Sequence, residues 1–344
     1  MKSFKKLFLA VAAFAVFVIG SGYAANAETG DLVKALPASD GVFTADLRKI
    51  LSESLPTLFR SNPEKLANAK EWIEDVKTKT GIDLSKFDEV VGGFKSKTLE
   101  NGETEMEPVV LARGTFDNAK LEPAIKVASK GSYKKINYKG KTIYVFSPKA
   151  VFEKTTKATT KEDSFLVKTA KSIFRSVYEE VAITALSNDV VAMGTLSRVK
   201  ETIDPGARID ASTLALLDQG TDPVMRFGAN LPGGLSSIIK LDSDELGKAL
   251  DAIKQLKGAL SITGEESVLN ISAGTDDEQS SKMLFIQLSS VKQVGSILLS
   301  GSAGGNKQIY SNIIDNTVIR RNANNVLIDV NVPQSDIDVL LAKK

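Results

Sequence analysis

Alternating apolar and polar residues recur along the chain, and each alternating stretch runs straight into apolar residues at helical spacing. The pattern is clearest in VVLARGTFDNAKLEPAI (109–125) and VVAMGTLSRVKETI (190–203). Alternation predicts a strand with one buried face, and a 3.6-residue period predicts an amphipathic helix. A strand that turns directly into a helix is therefore the expected building unit. The same transition is predicted at 42–59, 224–239, 283–299 and 328–343.

Both of the clearest units carry a Gly-Thr pair at the junction, Gly114-Thr115 and Gly194-Thr195. Glycine at a strand-to-helix turn also occurs in loops that cradle phosphate. A phosphate loop needs glycine at fixed positions for close approach of its backbone, whereas the junctions of the other units differ in residue type. We therefore predict that the glycines are turn residues and that the threonines are helix N-caps.

The two halves of the chain repeat these elements in nearly the same order, which predicts an internal duplication. The first half is expected to form a strand, two helices, two strands, a helix and two hairpins, at 42–46, 46–60, 64–80, 88–97, 106–114, 117–129, 133–146 and 180–194. The second half is expected to form a strand, two helices, three strands, two helices, a hairpin and a closing helix, at 223–228, 232–239, 243–256, 258–263, 267–274, 282–288, 290–300, 306–316, 317–330 and 334–343.

The predicted fold class is α+β, with two tandem, duplicated domains that each pack helices on one face of a mainly antiparallel sheet. The domains are placed at 28–207 and 208–344. A segment rich in threonine and lysine interrupts the first domain as a basic insertion at 149–180. Insertions of this kind are surface loops or functional lids.

Residues 1–27 have the plan of a secretory signal peptide. Three lysines precede an apolar run from Leu7 to Ile19, and a site of the form A-x-A ends at Ala27. The run is shorter than the roughly 20 apolar residues of a membrane-spanning helix. We therefore expect an exported protein, periplasmic or extracellular, with no transmembrane span after cleavage.

The chain contains no cysteine and no histidine. This composition excludes Ser-His-Asp and Cys-His catalysis, metal sites with histidine ligands, thiol redox chemistry and iron–sulfur clusters. With 42% hydrophobic and 25% charged residues, the chain otherwise has the composition of an ordinary globular protein. We predict that it binds no cofactor and is not an enzyme, although carboxylate pairs and oxygen-ligated metals remain open as chemistry.

Three stretches that resemble functional motifs have simpler structural explanations. Ser-x-x-Lys, the acylating motif of penicillin-binding enzymes, occurs about as often as the serine and lysine content predicts. GSAGGNKQ (301–308) departs from a phosphate loop at two positions and follows a predicted helix. Asp242 and Asp244 match part of a calcium-binding loop, but we predict Asp242 as a helix N-cap with Glu245 as its capping-box partner.

Basic residues are concentrated between Lys126 and Arg175, where thirteen lysines or arginines stand against three acidic residues. A solvated face is the ordinary interpretation of lysine-rich sequence. The sharper hypothesis is a surface for an anionic envelope partner, such as a phosphate-bearing glycopolymer, acidic lipid headgroups or an acidic protein. The candidate residues are Lys126, Lys130, Lys134, Lys135, Lys139, Lys141, Lys154, Lys157, Lys161, Lys168, Lys171 and Arg175.

The chemistry of these residues narrows the partner. Lysine without many arginines favours diffuse attraction over bidentate recognition. Nucleic acid fits the charge but not the expected compartment, and aromatic residues for base stacking are sparse.

The segments LPASDGVFTADLRKILSESLPTLF, TGIDLSKFDEVVGGF, VVLARGTFD, YKGKTIYVF and ALSNDVVAMGTLSRVKETID together cover most of the first half. In their order and turn residues they resemble exported bacterial proteins that are known only as domains of unknown function. The shared motifs are turn and cap residues. The resemblance therefore implies the fold and an exported location, and it implies no activity and no catalytic residue.

A non-catalytic binding protein of the cell envelope is the function that these patterns favour. The first alternative is a carrier or chaperone for an apolar ligand such as lipid, which requires a large apolar pocket between sheet and helices. The second is a hydrolase, which requires two carboxylates that converge in a cleft, with a raised pKa on one of them. A glycosidase would also need exposed aromatic residues for its sugar, and the only tryptophan, Trp72, is predicted to lie in the core.

Overall fold

Runs of antiparallel strands are interspersed with helices along the chain, and the fold class is α+β. The protein is described by a computed structural model that covers residues 30–98, 100, 104–147, 180–231, 234, 244–300 and 306–342. Three predicted features lie wholly or almost wholly outside the described residues: the signal peptide (1–27), the basic insertion (149–180) and the helix at 232–239.

The described chain forms two units. The N-terminal unit contains residues 30–52 and 68–214, and the C-terminal unit contains residues 53–67 and 215–342. The C-terminal unit therefore includes a short segment from the first half of the sequence. Side-chain amides attach this segment, since Gln334 donates to the carbonyl of Thr57 at 3.0 Å and Asn62 donates to the carbonyl of Leu341 at 2.7 Å.

In the described part of the N-terminal unit, seven antiparallel strands lie in the order β1-β2-β3-β7-β6-β5-β4. β3 pairs with β7 and not with the next strand in the chain. The chain between them forms the hairpin of β4 and β5 and the hairpin of β6 and β7, and β4 is the last strand of the series, beside β5. The strands are β1 (Gly41–Asp46), β2 (Phe87–Thr98), β3 (Thr104–Gly114), β4 (Lys134–Tyr138), β5 (Lys141–Phe146), β6 (Val181–Ala185) and β7 (Val190–Gly194).

Among the residues that the structure describes in the C-terminal unit, five antiparallel strands lie in the order β8-β9-β10-β12-β11. Here too, the last hairpin places its second strand, β12, beside the third strand, β10. The strands are β8 (Met225–Asn230), β9 (Ile253–Ile262), β10 (Glu266–Thr275), β11 (Val318–Asn322) and β12 (Asn325–Pro333).

The helices are amphipathic and mostly short. A π-helical turn, Ile50–Ser54, joins α2 to α3, and single 3-10 turns occupy Leu84–Lys86, Asn118–Lys120 and Ala215–Leu217. The described helices, numbered in chain order, are α1 (Gly30–Lys34), α2 (Leu47–Lys49), α3 (Leu55–Leu58), α4 (Pro63–Thr80), α5 (Leu121–Ala128), α6 (Leu196–Ile203), α7 (Ala211–Leu214), α8 (Asp244–Asp251), α9 (Glu278–Ser300), α10 (Asn306–Asp315) and α11 (Gln334–Ala342). None of these helices combines the length and the apolar character that crossing a bilayer requires.

The Gly-Thr junctions are strand ends, and close backbone contact explains their glycines. A Cβ atom at Gly114 would lie 2.3 Å from the carbonyl oxygen of Lys86, and one at Gly194 would lie 2.3 Å from that of Pro108. The N-cap prediction is confirmed for Thr195, whose hydroxyl accepts the N–H of Arg198.

The N-cap prediction is wrong for Thr115, because Asp117 caps the 3-10 turn that follows. The carboxylate of Asp117 accepts the N–H of Ala119 at 2.9 Å. After β7, the N-cap of α6 is the residue that directly follows Gly194. After β3, the cap Asp117 comes two residues later in the corresponding turn, and it begins a 3-10 turn before α5.

The predicted strand at 282–288 and the predicted Ser-Ser junction after it are wrong, because the whole segment lies inside α9. The carboxylate of Asp277 accepts the N–H of Ser280 at 2.7 Å and so starts the helix. The buried residues Leu284 and Leu288 lie on one face at helical spacing. The outward face of α9 is also apolar, and this second set of apolar residues made the segment resemble a strand.

Two further predictions need correction. The helix predicted at 243–256 ends at Asp251, and Ile253 begins β9. Ile253 and Leu256 continue the helical spacing, but their backbone groups pair with neighbouring strands instead, so tertiary context overrides the local pattern. The predicted cap Asp242 lies outside the described residues. Trp72 is not in the core, since it is 49% exposed on α4.

Candidate functional site

The part of the basic segment that the structure describes is a hairpin of β4 and β5 together with the preceding helix α5. Lys139 and Gly140 form the turn, with φ angles of 46° and 78°. Two consecutive left-handed residues make the tight turn whose twist suits a two-residue hairpin. Tyr138 and Lys141 therefore stand opposite each other at the turn.

Helix α5 packs on this end of the sheet through a small apolar cluster. Leu121 and Ile125 of the helix contact Phe146 of β5 and Val181 of β6. The end of the helix is fixed as well, because the N–H of Gly131 donates to the carbonyl of Lys126 at 2.7 Å. Lys126 is thus held on a helix that packs against the sheet, and both Lys126 and Lys130, just beyond the helix end, are exposed.

A carboxylate on α5 collects the polar groups of the hairpin. Glu122 lies 2.7 Å from the ammonium of Lys135, and it accepts hydrogen bonds from the hydroxyls of Tyr133 at 2.7 Å and Tyr144 at 3.2 Å. The two rings lie 6.0 Å apart, and the Lys135 ammonium is 5.9 Å from the centre of the Tyr144 ring. The hydrogen bond from Lys135 holds the pKa of Glu122 below its usual value.

A second carboxylate, at the C-terminal end of α6, makes a similar set of contacts. Asp204 lies 2.7 Å from the ammonium of Lys139 and accepts the hydroxyl of Tyr138 at 3.0 Å. The ammonium of Lys200 lies 5.2 Å from the centre of the Tyr138 ring. The hydrogen bond from Lys139 lowers the pKa of Asp204.

The structure divides the six described lysines of the predicted patch into two groups. Lys135 and Lys139 belong to the carboxylate clusters, and Lys141 donates to the carbonyl of Leu186 at 2.8 Å. The other three are exposed and make no ion pair or hydrogen bond with any described side chain: Lys126, Lys130 and Lys134.

Strand geometry further divides the patch, because successive side chains point to opposite faces. Lys135 lies on the face of β4 that meets Glu122, so Lys134 lies on the other face. Lys126 lies on α5, one helical turn after Glu122, and Lys130 lies two residues beyond the end of that helix. The remaining predicted residues lie outside the described part of the chain: Lys154, Lys157, Lys161, Lys168, Lys171 and Arg175.

Sequence analysis missed Glu122, which lies four residues before the basic stretch, and Asp204, which lies 29 residues after it. A charge count within one stretch cannot include carboxylates that the fold brings back to it. The one available signal was the position of Glu122 in the first turn of a predicted helix directly before the hairpin.

The hydrolase alternative requires a carboxylate with a raised pKa, and Glu89 on β2 is such a carboxylate. Burial raises the pKa of Glu89 to about 7. The alternation of Phe87, Glu89 and Val91 places this carboxylate on the buried face, where it is 5% exposed. A substrate therefore has no direct access to it, and Glu89 does not form the open cleft that a hydrolase requires.

The groove described in the C-terminal unit does not have the form that the carrier alternative requires. It has a volume of about 430 Å³ and lies open at the surface between α9, α10 and β11. Five of the seven residues that line it have polar side chains, including Ser289, Lys292 and Asp315. A carrier for lipid needs an enclosed apolar cavity instead.

No protein-family model and no curated protein matches the sequence. Among solved structures, crystal form III of TP0453 is similar, with a TM-score of 0.46 and 9% identity over 93% of this chain and 100% of that chain. Crystal form I of TP0453 gives a TM-score of 0.42 and 10% identity over 92% and 98% of the two chains. Crystal form IV gives 0.43 and 9% over 90% and 96%. These similarities assign no role to any residue of the present chain.

Proposed function

We propose that the protein is a non-catalytic binding protein, exported to the cell envelope, and that the α5–β4–β5 surface binds an anionic partner. The observation that carries this proposal is the pair of exposed lysines at the C-terminal end of α5, Lys126 and Lys130, together with the exposed Lys134 on the other face of the neighbouring strand β4, the last strand of its series. Their charges are not neutralised by the carboxylates that hold Lys135 and Lys139. The arrangement of residues 1–27 supports export.

The shared chemistry of the partner is a dense array of phosphate or carboxylate groups, as in a glycopolymer, a layer of acidic lipid headgroups or an acidic protein surface. Lysine ammonium groups attract such an array without fixed pairing geometry. Each lysine near an anionic surface contributes about 1 kcal/mol. Three free lysines thus suit weak, salt-dependent attachment rather than recognition of one small molecule.

Protection of a sheet edge is the structural alternative for Lys134. β4 is the last strand of its series, and charged residues on such strands discourage pairing with another chain. This role does not extend to Lys126 and Lys130, which belong to the helix end. In that position they also interact favourably with the C-terminal end of the helix dipole.

The internal duplication belongs to the same proposal. Five strands of each unit have the same connectivity. Their order is β1-β2-β3-β7-β6 in the N-terminal unit and β8-β9-β10-β12-β11 in the C-terminal unit. In each unit a helix follows the third strand, and another follows the final hairpin. The hairpin of β4 and β5 has no counterpart among the described strands of the C-terminal unit. We therefore place the binding surface on the element that distinguishes the two copies.

The test compares the triple variant Lys126→Gln, Lys130→Gln, Lys134→Gln with a control of equal charge. The control replaces Lys70, Lys95 and Lys248, which are exposed elsewhere. Binding is measured to vesicles that contain phosphatidylglycerol, to neutral vesicles and to dextran sulfate, over a range of salt concentrations. We expect the first variant to lose about tenfold or more in affinity at low salt and the control to lose much less.

Equal losses in the two variants would reduce the attraction to net charge and contradict a local surface. A second variant with Lys154, Lys157 and Lys161 changed to Gln tests the part of the predicted patch outside the described residues. Preference for vesicles over polymer, or the reverse, distinguishes the sources of the anionic groups.

A further inference from the structure

A stripe of exposed apolar side chains runs along the outward face of α9, the 23-residue helix of the C-terminal unit. The exposed fractions are 50% for Met283, 48% for Ile286, 56% for Val294 and 64% for Ile297. Between them stands the exposed Ser290. An exposed apolar stripe of this kind, broken at its centre by one small serine, indicates an interaction site on a water-facing helix.

The positions of these residues are symmetric about Ser290. Ile286 and Val294 lie four residues before and after it, and Met283 and Ile297 lie seven residues before and after it. At about 100° per residue, all five side chains fall within about 40° of one line along the helix. A two-fold axis at Ser290 therefore maps the stripe onto an antiparallel copy of itself.

We propose that α9 is the contact of a symmetric homodimer, in which two copies of the helix pack antiparallel about a two-fold axis at Ser290. Met283 of each copy then lies against Ile297 of the second copy, and Ile286 lies against Val294. A two-fold contact requires a patch that is complementary to itself. The small serine at the centre lets the two backbones approach closely.

Charge complementarity supports a second copy as the occupant. In the antiparallel pair, Lys282 lies at the same height along the axis as residue 298 of the second copy. On that side of the second helix, the hydroxyl of Ser296 donates a hydrogen bond to the carboxylate of Asp315 at 2.7 Å. That carboxylate accepts hydrogen bonds from the hydroxyls of Ser296 and Ser311, and no described lysine or arginine forms an ion pair with it. Lys282 is exposed and has no described partner of its own.

The size of the stripe sets the strength of the dimer. From Met283 to Ile297 the stripe is about 21 Å long at 1.5 Å per residue. A single helix pair of this length buries less than the roughly 1,000 Å² of a stable interface, so the dimer is reversible. We expect half-dimerisation on the order of 10 to 100 µM.

The absence of cysteine from the sequence makes cross-linking a sharp test. With helix axes about 8 to 10 Å apart, the two Ser290 Cα atoms come within about 4 to 5 Å of each other, which suits a disulfide. The two Gln293 residues are displaced by about 9 Å along the helix, beyond disulfide range. Ser290→Cys should therefore oxidise to a covalent dimer at least about tenfold faster than Gln293→Cys, an exposed control on the same helix.

Sedimentation equilibrium of the whole protein gives the second measurement. The wild type should show a monomer–dimer equilibrium, and Ile286→Glu should weaken it about tenfold or more while its circular dichroism and melting temperature stay those of the wild type. Lys282→Glu should also weaken the dimer, and Asp315→Lys in the same chain should restore it. A wild type that stays monomeric up to about 1 mM, or equal cross-linking rates at positions 290 and 293, would overturn the proposal.

Discussion

The carboxylate of Glu89 lies 3.8 Å from the guanidinium of Arg113, and neither of its oxygens accepts a hydrogen bond from a described residue. Glu89 on β2 stands between Asp46 on β1 and Arg113 on β3. Burial raises the pKa of Glu89 to about 7, and Arg113 opposes the rise. The charges of Asp46, Asp31 and Asp88 raise the pKa further. A charge attraction without a hydrogen bond thus offsets only part of the cost of burying the carboxylate.

This pKa makes the stability of the fold depend on pH. The folded protein binds the Glu89 proton more tightly than the unfolded chain, whose glutamate has a pKa of 4.5. Proton binding at Glu89 therefore adds to the free energy of unfolding. This contribution is fully present below about pH 4.5 and is lost as the pH rises through about 7. At 1.36 kcal/mol per pKa unit the full change is about 3 kcal/mol.

We expect Glu89→Gln to remove this pH dependence. The variant should match the wild type at about pH 4.5, where both side chains are neutral, and should be more stable by up to about 3 kcal/mol at about pH 8. Urea unfolding at several pH values measures the difference. Glu71→Gln, at an exposed position on α4, is the control and should follow the wild-type curve. Parallel curves for wild type and Glu89→Gln would contradict the prediction.

Gly194 and Gly247 should respond in opposite directions to substitution by alanine. A Cβ at Gly194 would lie 2.3 Å from the carbonyl oxygen of Pro108 and 2.9 Å from the Cα of Val109, and backbone atoms cannot move aside cheaply. Gly194→Ala should therefore cost about 2 kcal/mol or more. Gly247, inside α8, has no atom within 4 Å of such a Cβ, so Gly247→Ala should stabilise by about 0.5 to 1 kcal/mol. Denaturant titration of both variants measures the sign.

The two threonines of the Gly-Thr pairs should also differ. Thr195 caps α6, so Thr195→Ala should destabilise the protein by about 1 kcal/mol, and Thr195→Ser should recover most of this loss because it keeps the hydroxyl. Thr115 is exposed and caps no helix, so Thr115→Ala should change the free energy of unfolding by less than about 0.5 kcal/mol. Melting temperatures of the three variants give the comparison, and equal losses at both threonines would refute it.

Sequence patterns predict those parts of the fold that depend on neighbouring residues. The hairpins at Lys139-Gly140 and at Asn188-Asp189 are of this kind, because their turn residues determine the backbone locally. Sequence patterns do not predict the contacts of Glu122 with Lys135 and of Asp204 with Lys139, because each contact joins elements that only the folded sheet brings together.

Apolar residues on both sides of a helix also defeat pattern analysis. Helix α9 has an apolar face toward the core, with Leu284 at its centre, and a second apolar face toward solvent, with Ile286. The two faces together remove the clear helical period and suggest a strand. Glu89 shows the converse, because its alternation with Phe87 and Val91 already implies a buried carboxylate, while its pKa depends on Arg113 and on the aspartates around it.

Glu122 offers a gain-of-function test of the proposed binding surface. Its carboxylate lies 2.7 Å from the Lys135 ammonium, so Glu122→Gln frees one positive charge beside Lys126 and Lys130. The glutamine oxygen can still accept one of the two tyrosine hydroxyls, and its NH2 group can donate to the hydroxyl oxygen of the other, so both contacts of Tyr133 and Tyr144 are kept. If the surface binds anionic groups, affinity for phosphatidylglycerol vesicles should rise by about fivefold, which corresponds to about 1 kcal/mol for one lysine near the membrane. Glu71→Gln changes the net charge equally on a distant helix and should raise affinity much less. An equal rise in both variants, or no rise in Glu122→Gln, would count against binding at α5, β4 and β5.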